Sequence, residues 1–431
     1  MTERTIAVDY VTRVEGEGAL KVRLDGRKVT ELQLRIFEPP RFFEAFLRGR
    51  GYAEAPDITA RICGICPVAY QMSSCGAMER ALGITVDGAL RDLRRVLYCG
   101  EWIESHALHI YLLHAPDFLG YPDAIQLARD HPDLVKQGLA LKKIGNEVMT
   151  ILGGREIHPI NVRVGGFYRL PTPEELERMK ERLREAIDLA EATVRAVSGL
   201  TFPEMDEPYE FVSLRHPEEY PMMGGQLVSS AGLSIDPADF EASFEEIHVP
   251  YANALQCVRR GGGSYLVGPL ARYSLNSDRL TPRAAAAARH AGLGREVRNP
   301  YRSIIVRAVE SVYAAEEALR LLEKYRAPDR AWVPPPPGFA GGTGAAISEA
   351  PRGILYHRYR LGKDGRIEEA KIVPPTSQNQ RRIEDDLRDV VTRSIDLDDA
   401  HLADACEKAV RNHDPCISCA THFLHVDVQR R

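Results

Sequence analysis

"DPCISCATH", residues 414–422, places Cys416 and Cys419 three positions apart, and "RICGIC", residues 61–66, repeats that spacing with Cys63 and Cys66. The two pairs lie 353 residues apart. Thiolate sulfur is a soft ligand that selects zinc, copper(I), iron–sulfur clusters, or nickel and iron in reduced sites. Two such pairs suit a structural Cys₄ zinc site, an iron–sulfur cluster or dithiol redox chemistry. Zinc ribbons separate their pairs by far fewer residues, which weighs against the first reading. If the four sulfurs meet, both ends of the chain are drawn to one site. The chain is then a single interwoven unit rather than a string of separable domains.

Composition sets the frame for that idea. The 431 residues are 44% hydrophobic and 27% charged, values of a globular protein with a sizeable core. The net charge of −5 carries no basic footprint for nucleic acid or an anionic membrane surface. No apolar run approaches the roughly 20 residues needed to cross a bilayer. The start, "MTERTIAVDY", lacks the basic and apolar blocks of a secretory leader, so the expected location is the cytoplasm. In that reducing compartment a disulfide framework is a poor account of eight cysteines. Cys75, Cys99, Cys257 and Cys406 stand outside the pairs and read as buried structural thiols.

Local patterns predict an α+β fold that is mainly α. A long-helix bundle forms the core, with small β-hairpin regions near the N-terminus and in the C-terminal third. "ALKVRLDGRKVTELQLRI" alternates around Asp25-Gly26, and "YHRYRLGKDGRIEEAKIV" around Asp364-Gly365, both hairpin signals. "GALRDLRRVLYCGEWIESHALHIYLLHA" carries apolar residues at helical spacing, enough for one long buried helix. Further helices are expected over "HPDLVKQGLALKKIGNEVMTIL" and "SIIVRAVESVYAAEEALRLLEKY". In "TPEELERMKERLREAIDLAEATVRAVSGL", Thr172 is the N-cap, Pro173 the first helical residue and Glu175 the partner of a capping box. "VPPPPGFAGGTGAA", from Val333, reads as a loop with no regular structure.

The flanks of the cysteine pairs carry more. Arg61 precedes the first pair, Asp414-Pro415 precedes the second, and His422 follows Cys419 by three. With these flanks the chain resembles the large, catalytic subunit of the nickel–iron hydrogenases, closest to the soluble branch linked to NAD(P). "TRVEGEGAL", "RFFEAFLRGR", "LHAPDF", "GGREIHPINVRVGGF", "EAPRG" and "VPPT" fall in the family's order, so the resemblance runs from Thr12 to His422.

The resemblance implies reversible heterolytic cleavage of H2 at a Ni–Fe centre whose iron bears CO and cyanide. It implies that Cys63 and Cys416 are terminal nickel ligands and that Cys66 and Cys419 bridge nickel to iron. Glu15 would be the first proton carrier beyond Cys416, with a pKa raised by burial beside thiolates. Arg352 would overhang the metal pair, held by Asp117 and Asp414. Thr376 would donate to a cyanide, although Pro375 stands where several family members have a hydroxyl residue. Glu44 and His422 resemble ligands of a second, hard cation, Mg2+. Many members have a histidine where Tyr70 stands here. Implied partners are an iron–sulfur small subunit, flavin/NAD(P) diaphorase subunits, a maturation protease and nickel-insertion factors. That protease would cut after His422, leaving residues 1–422 as a single domain and removing 423–431. The rival readings are a non-hydrogenase homologue that has lost the cysteines and a structural zinc protein.

Overall fold

The computed structural model describes residues 3–421. Near the N-terminus the strands β1 (Glu3–Val8), β2 (Gly18–Asp25) and β3 (Lys28–Ile36) form an antiparallel meander. The turn between β2 and β3 is the expected one, with Gly26 at φ +58, where a side chain would be strained. On β2, Leu20, Val22 and Leu24 are buried in alternation, and Leu20 and Val22 pair with Leu34 and Leu32 of β3. Period-two burial of this kind is what a one-sided sheet requires.

The helical core follows. α1 (Pro67–Leu82), α2 (Gly88–Leu108), α3 (Pro132–Gly153), α4 (Pro173–Ser198) and α5 (Ser303–Lys324) are its long members. α2 packs on α3 and α5, and α5 on α4. Two glycines bring α2 and α3 into near backbone contact. A Cβ on Gly145 would stand 2.6 Å from the Gly100 carbonyl oxygen and 2.6 Å from the Glu104 nitrogen. The capping box on α4 forms as expected: the Glu175 N–H donates to Thr172 Oγ1 at 3.2 Å, and the Thr172 N–H donates to Glu175 Oε2 at 2.8 Å.

Two local expectations are corrected. The long helix expected through "HIYLLHA" stays α only to Leu108; His109–His114 form a π-helical turn before a short helix, Ala115–Leu119. The wider turn brings His109 and His114, five apart, together as a tilted ring pair, with centroids 4.9 Å apart and planes inclined at 52°. The stretch from Val333, expected to be a loop, holds the start of β4 (Gly342–Ala350). β4 pairs with β5 (Gly353–Leu361), and β5 with β6 (Ile367–Val373) across the expected turn at Gly365. The glycines that suggested a loop serve a different end. A Cβ on Gly344 would lie 2.1 Å from the Ala77 carbonyl oxygen, so β4 lies flat on α1 only without side chains there.

α6 (Pro375–Arg393) and α7 (Asp399–Asn412) complete the described chain, apart from a short turn of helix at Ile417–Ala420. Ile383, Leu387, Val391 and Leu402 on these helices share a core with Leu20, Val22 and Leu24 of the first sheet. Burial of that shared face brings the early and late parts of the sequence together. Among the described residues, no helix is long and apolar enough to cross a membrane.

Candidate metal centre

The two CxxC pairs converge. The sulfurs of Cys63, Cys66, Cys416 and Cys419 all lie within 4.8 Å of one another and are all buried. Cys63 Sγ is 3.5 Å from Cys416 Sγ, Cys66 Sγ is 3.9 Å from Cys419 Sγ, and Cys416 Sγ is 2.9 Å from Cys419 Sγ. The N–H groups of Ile65 and Cys66 both donate to Cys63 Sγ at 3.3 Å.

Four buried thiols this close cannot all ionise without a cation. Hydrogen bonds donated by Cys416, Cys419 and Cys66 hold Cys63 well below the ordinary thiol range. Donating toward Cys419, Cys63 and Cys66 pushes Cys416 well above it. A bound metal removes this conflict, because coordination takes the thiolate form. The donor set is all sulfur, which suits nickel and iron in low oxidation states and excludes a hard cation.

Glycines bring the N-terminal loop onto the second pair. Glu15 and Cys416 form an isolated parallel bridge, in which the Ile417 N–H donates to the Glu15 carbonyl at 2.9 Å. Gly16 has φ +87, and a Cβ there would meet Ile417 Cβ at 2.8 Å. The Glu15 carboxylate then accepts from Cys416 Sγ at 3.0 Å and from the Ser418 N–H at 3.1 Å. Burial and the nearby Cys63 charge raise its pKa, in the direction the sequence implied.

Arg352 is 2% exposed and follows β4. Its Nε donates to the Asp414 carbonyl at 2.8 Å and its Nη2 to Asp414 Oδ1 at 3.1 Å. Nη1 and Asp414 Oδ2 are buried with no partner within the described protein, so polar capacity is left over beside the sulfurs. Burial opposes the Arg352 charge, but Asp414 and the thiolates of Cys416, Cys66 and Cys63 raise its pKa well above the ordinary value.

Asp117 is a correction. It was expected to hold Arg352, but its oxygens accept instead from Arg13 Nη2 at 2.5 Å and from Arg411 Nε at 2.7 Å and Nη2 at 2.9 Å. Two guanidiniums fill the carboxylate, and Arg352 is left to Asp414.

Thr376, the second residue of α6, accepts the Cys416 N–H on Oγ1 at 2.9 Å, with Pro375 beside it at the helix start. Glu44 Oε1 accepts the Ile372 N–H at 2.8 Å. His422 and residues 423–431 lie outside the described residues. Tyr70 is fully buried, and burial with the charges of Cys419, Cys66 and Cys63 pushes its hydroxyl pKa well above the ordinary value.

Arg41 is a further residue of the site, one to which the sequence motifs assign no role. Its Nη2 donates to the Ile62 carbonyl at 2.8 Å and also to the Ser418 carbonyl, and its own N–H donates to the Thr421 carbonyl at 2.6 Å. It thus ties the flanks of both cysteine pairs. Only its place at the head of "RFFEAFLRGR" could have pointed to it.

The family model described as nickel-dependent hydrogenase matches residues 41–139 and 262–422. Sulfhydrogenase 2 subunit alpha of Pyrococcus furiosus is 34% identical over 97% of this chain and 99% of its own. NAD-reducing hydrogenase HoxS subunit beta of Cupriavidus necator is 29% identical over 98% of this chain and 95% of its own. The crystal structure of an NAD+-reducing [NiFe]-hydrogenase in the H2-reduced state superposes with a TM-score of 0.86 at 29% identity, covering 97% of this chain and 99% of that one. The chain belongs to the nickel-dependent hydrogenase family, as the large-subunit type, and is an oxidoreductase.

Proposed function

We propose that the four cysteines hold a Ni–Fe centre at which H2 is cleaved reversibly, and that its electrons pass through an iron–sulfur small subunit to NAD(P). The observation that carries this reading is the cluster of four buried sulfurs within 4.8 Å, with Glu15 hydrogen-bonded to one of them. Cys63 and Cys416 would be terminal ligands of nickel, Cys66 and Cys419 the bridges to iron, and CO and cyanide the remaining iron ligands. When bound, the bimetallic group supplies the Lewis acidity that polarises H2 toward heterolysis.

The protein's own residues manage the protons. Each H2 yields two protons and two electrons, and NAD(P)+ takes both electrons with one proton. Cys416 Sγ passes a proton to Glu15, a carboxyl whose raised pKa suits exchange with a thiol. Arg352, fixed by Asp414, presents a fixed guanidinium beside the reacting position. Thr376 already accepts the Cys416 N–H, which leaves its hydroxyl hydrogen to donate to a cyanide, while Pro375 adds an apolar wall without an N–H. Asp117 acts at one remove, by anchoring Arg411 just upstream of Asp414. Glu44 and His422 would hold Mg2+. Cleavage after His422, aided by a maturation protease and nickel-insertion factors, would follow metal loading.

Support for the electron route is the similarity to an NAD-reducing relative and to relatives designated as subunits of multi-chain hydrogenases. Diaphorase subunits carrying flavin fit that route, as does a cytoplasmic location. Elemental analysis of the purified complex should find nickel and iron near one each per chain, and infrared spectra should show bands of metal-bound CO and cyanide. Cys63→Ser should lose the bands and the activity together. Zinc alone, with no such bands, would overturn the reading. The electron route is tested in the same preparation by H2-dependent reduction of NAD+ against NADP+, and reduction of neither would exclude it.

A further inference from the structure

The helix α1 starts at an awkward place. Its N-cap is Cys66, and no side chain of that residue caps it. At most helix starts a Ser, Thr, Asp or Asn at this position accepts the first free N–H groups. Here the cap's sulfur points to Cys419, 3.9 Å away. Pro67, next in line, has no N–H. The donors left over are the N–H groups of Val68 and Ala69, both residues fully buried, where an unmet donor is costly.

A residue from another helix meets them. Glu101, fully buried on α2, accepts the Val68 N–H on Oε2 at 2.6 Å and the Ala69 N–H on Oε1 at 3.1 Å. The Tyr70 N–H returns to the Cys66 carbonyl at 3.5 Å, where helical bonding begins. One carboxylate therefore closes the whole helix start. A glutamine could not, because it offers one acceptor oxygen and turns an NH₂ group toward the second donor. The support is firm: α2 is locked on α3 by the Gly100–Gly145 contact one residue away.

We propose that Glu101 is a positioning residue for metal loading. By capping α1 in place of Cys66, it leaves that sulfur free to ligate and holds the first CxxC turn in binding geometry before any metal arrives. The inference rests on reading the four sulfurs as the Ni–Fe ligand set.

Amide hydrogen exchange on the metal-free chain tests the geometric half. In the wild type, Val68 and Ala69 should be protected; in Glu101→Gln they should exchange at least tenfold faster. After maturation in cells, nickel per chain in Glu101→Gln should fall to less than half of the wild-type value. Glu79→Gln serves as the control, since Glu79 is a buried carboxylate near the far end of α1, paired with Arg94 at 2.6 Å. It should leave exchange at Val68 and Ala69 and nickel content near wild type. Unprotected amides in the wild type, wild-type nickel in Glu101→Gln, or the same defects in Glu79→Gln would each overturn the proposal. Should Glu101→Gln fail to fold, Glu101→Asp, which draws the oxygens back by one methylene, is read in the same way. Zinc in place of nickel in the wild type would sink the metal assignment, while the amide measurement still decides the capping.

Discussion

A carboxylate that accepts a thiol at 3.0 Å sits where a proton can pass between them, and Glu15 does so toward Cys416. Its second bond, from the Ser418 N–H, survives replacement by glutamine, so the variant keeps shape while losing the titrating group. Glu15→Gln should therefore retain nickel yet lose about 100-fold in H2-dependent dye reduction, the usual weight of a lost acid–base group. Full turnover in that variant would remove Glu15 from the route. The four cysteines and Glu15 were legible because residue type and flanking motif identify them. Arg41 and Glu101 were not, since each acts by hydrogen bonds across more than 20 residues of sequence. The pairing of Asp117 with Arg13 and Arg411 depends likewise on which of several arginines arrives beside it.

At the scale of elements, close backbone approach does much of the positioning. β4 lies against α1 through Gly344, whose Cβ position falls 2.1 Å from a carbonyl oxygen. Gly344→Val should destabilise the protein by about 3 kcal/mol or more, measured as a lowered midpoint in urea unfolding. A midpoint unchanged from wild type would mean that strand and helix can part at that point. Pattern reading missed β4 because glycine is a breaker in a strand and equally a licence for close packing, and only the partner distinguishes the two.

The same scale sets the response to acid. His106, on α2, is fully buried, and burial lowers its pKa from 6.5 to about 4; burial also holds His109 and His114 of the π-turn well below 6.5. Each folded-state pKa lies below the unfolded value, so between them the unfolded chain binds the extra proton. Stability is thus complete above about pH 6.5 and falls as pH drops toward 4, by about 1.4 kcal/mol per pH unit per histidine. Thermal midpoints measured from pH 7.5 to 4.5 should fall along this window. His106→Gln should flatten the slope by one histidine's share.

For the whole molecule, the first sheet packed on α6 and α7 and the bridge from Glu15 to Cys416 make the two ends of the described chain one structural unit. Hairpins, long helices and the capping box could be read locally, and the shared cysteine spacing told of the closure. How the sheet reaches those helices could not be read, because any one-sided sheet offers the same alternating face. The proposed cut after His422 belongs at this scale. Intact-mass measurement of active protein should give a chain ending at His422, and full-length mass with full activity would refute the cut.

Distance along the chain also has a clock attached. Cys416 leaves the ribosome 353 residues after Cys63, which at ordinary elongation rates is a delay of roughly 20 to 70 s. Throughout that interval the early thiols have no partners and are open to oxidation or capture by the wrong ion. The centre therefore cannot be assembled until the late pair has emerged, and a polypeptide terminated before Cys419 can never hold it, so occupancy of the site certifies translation past the second cysteine pair.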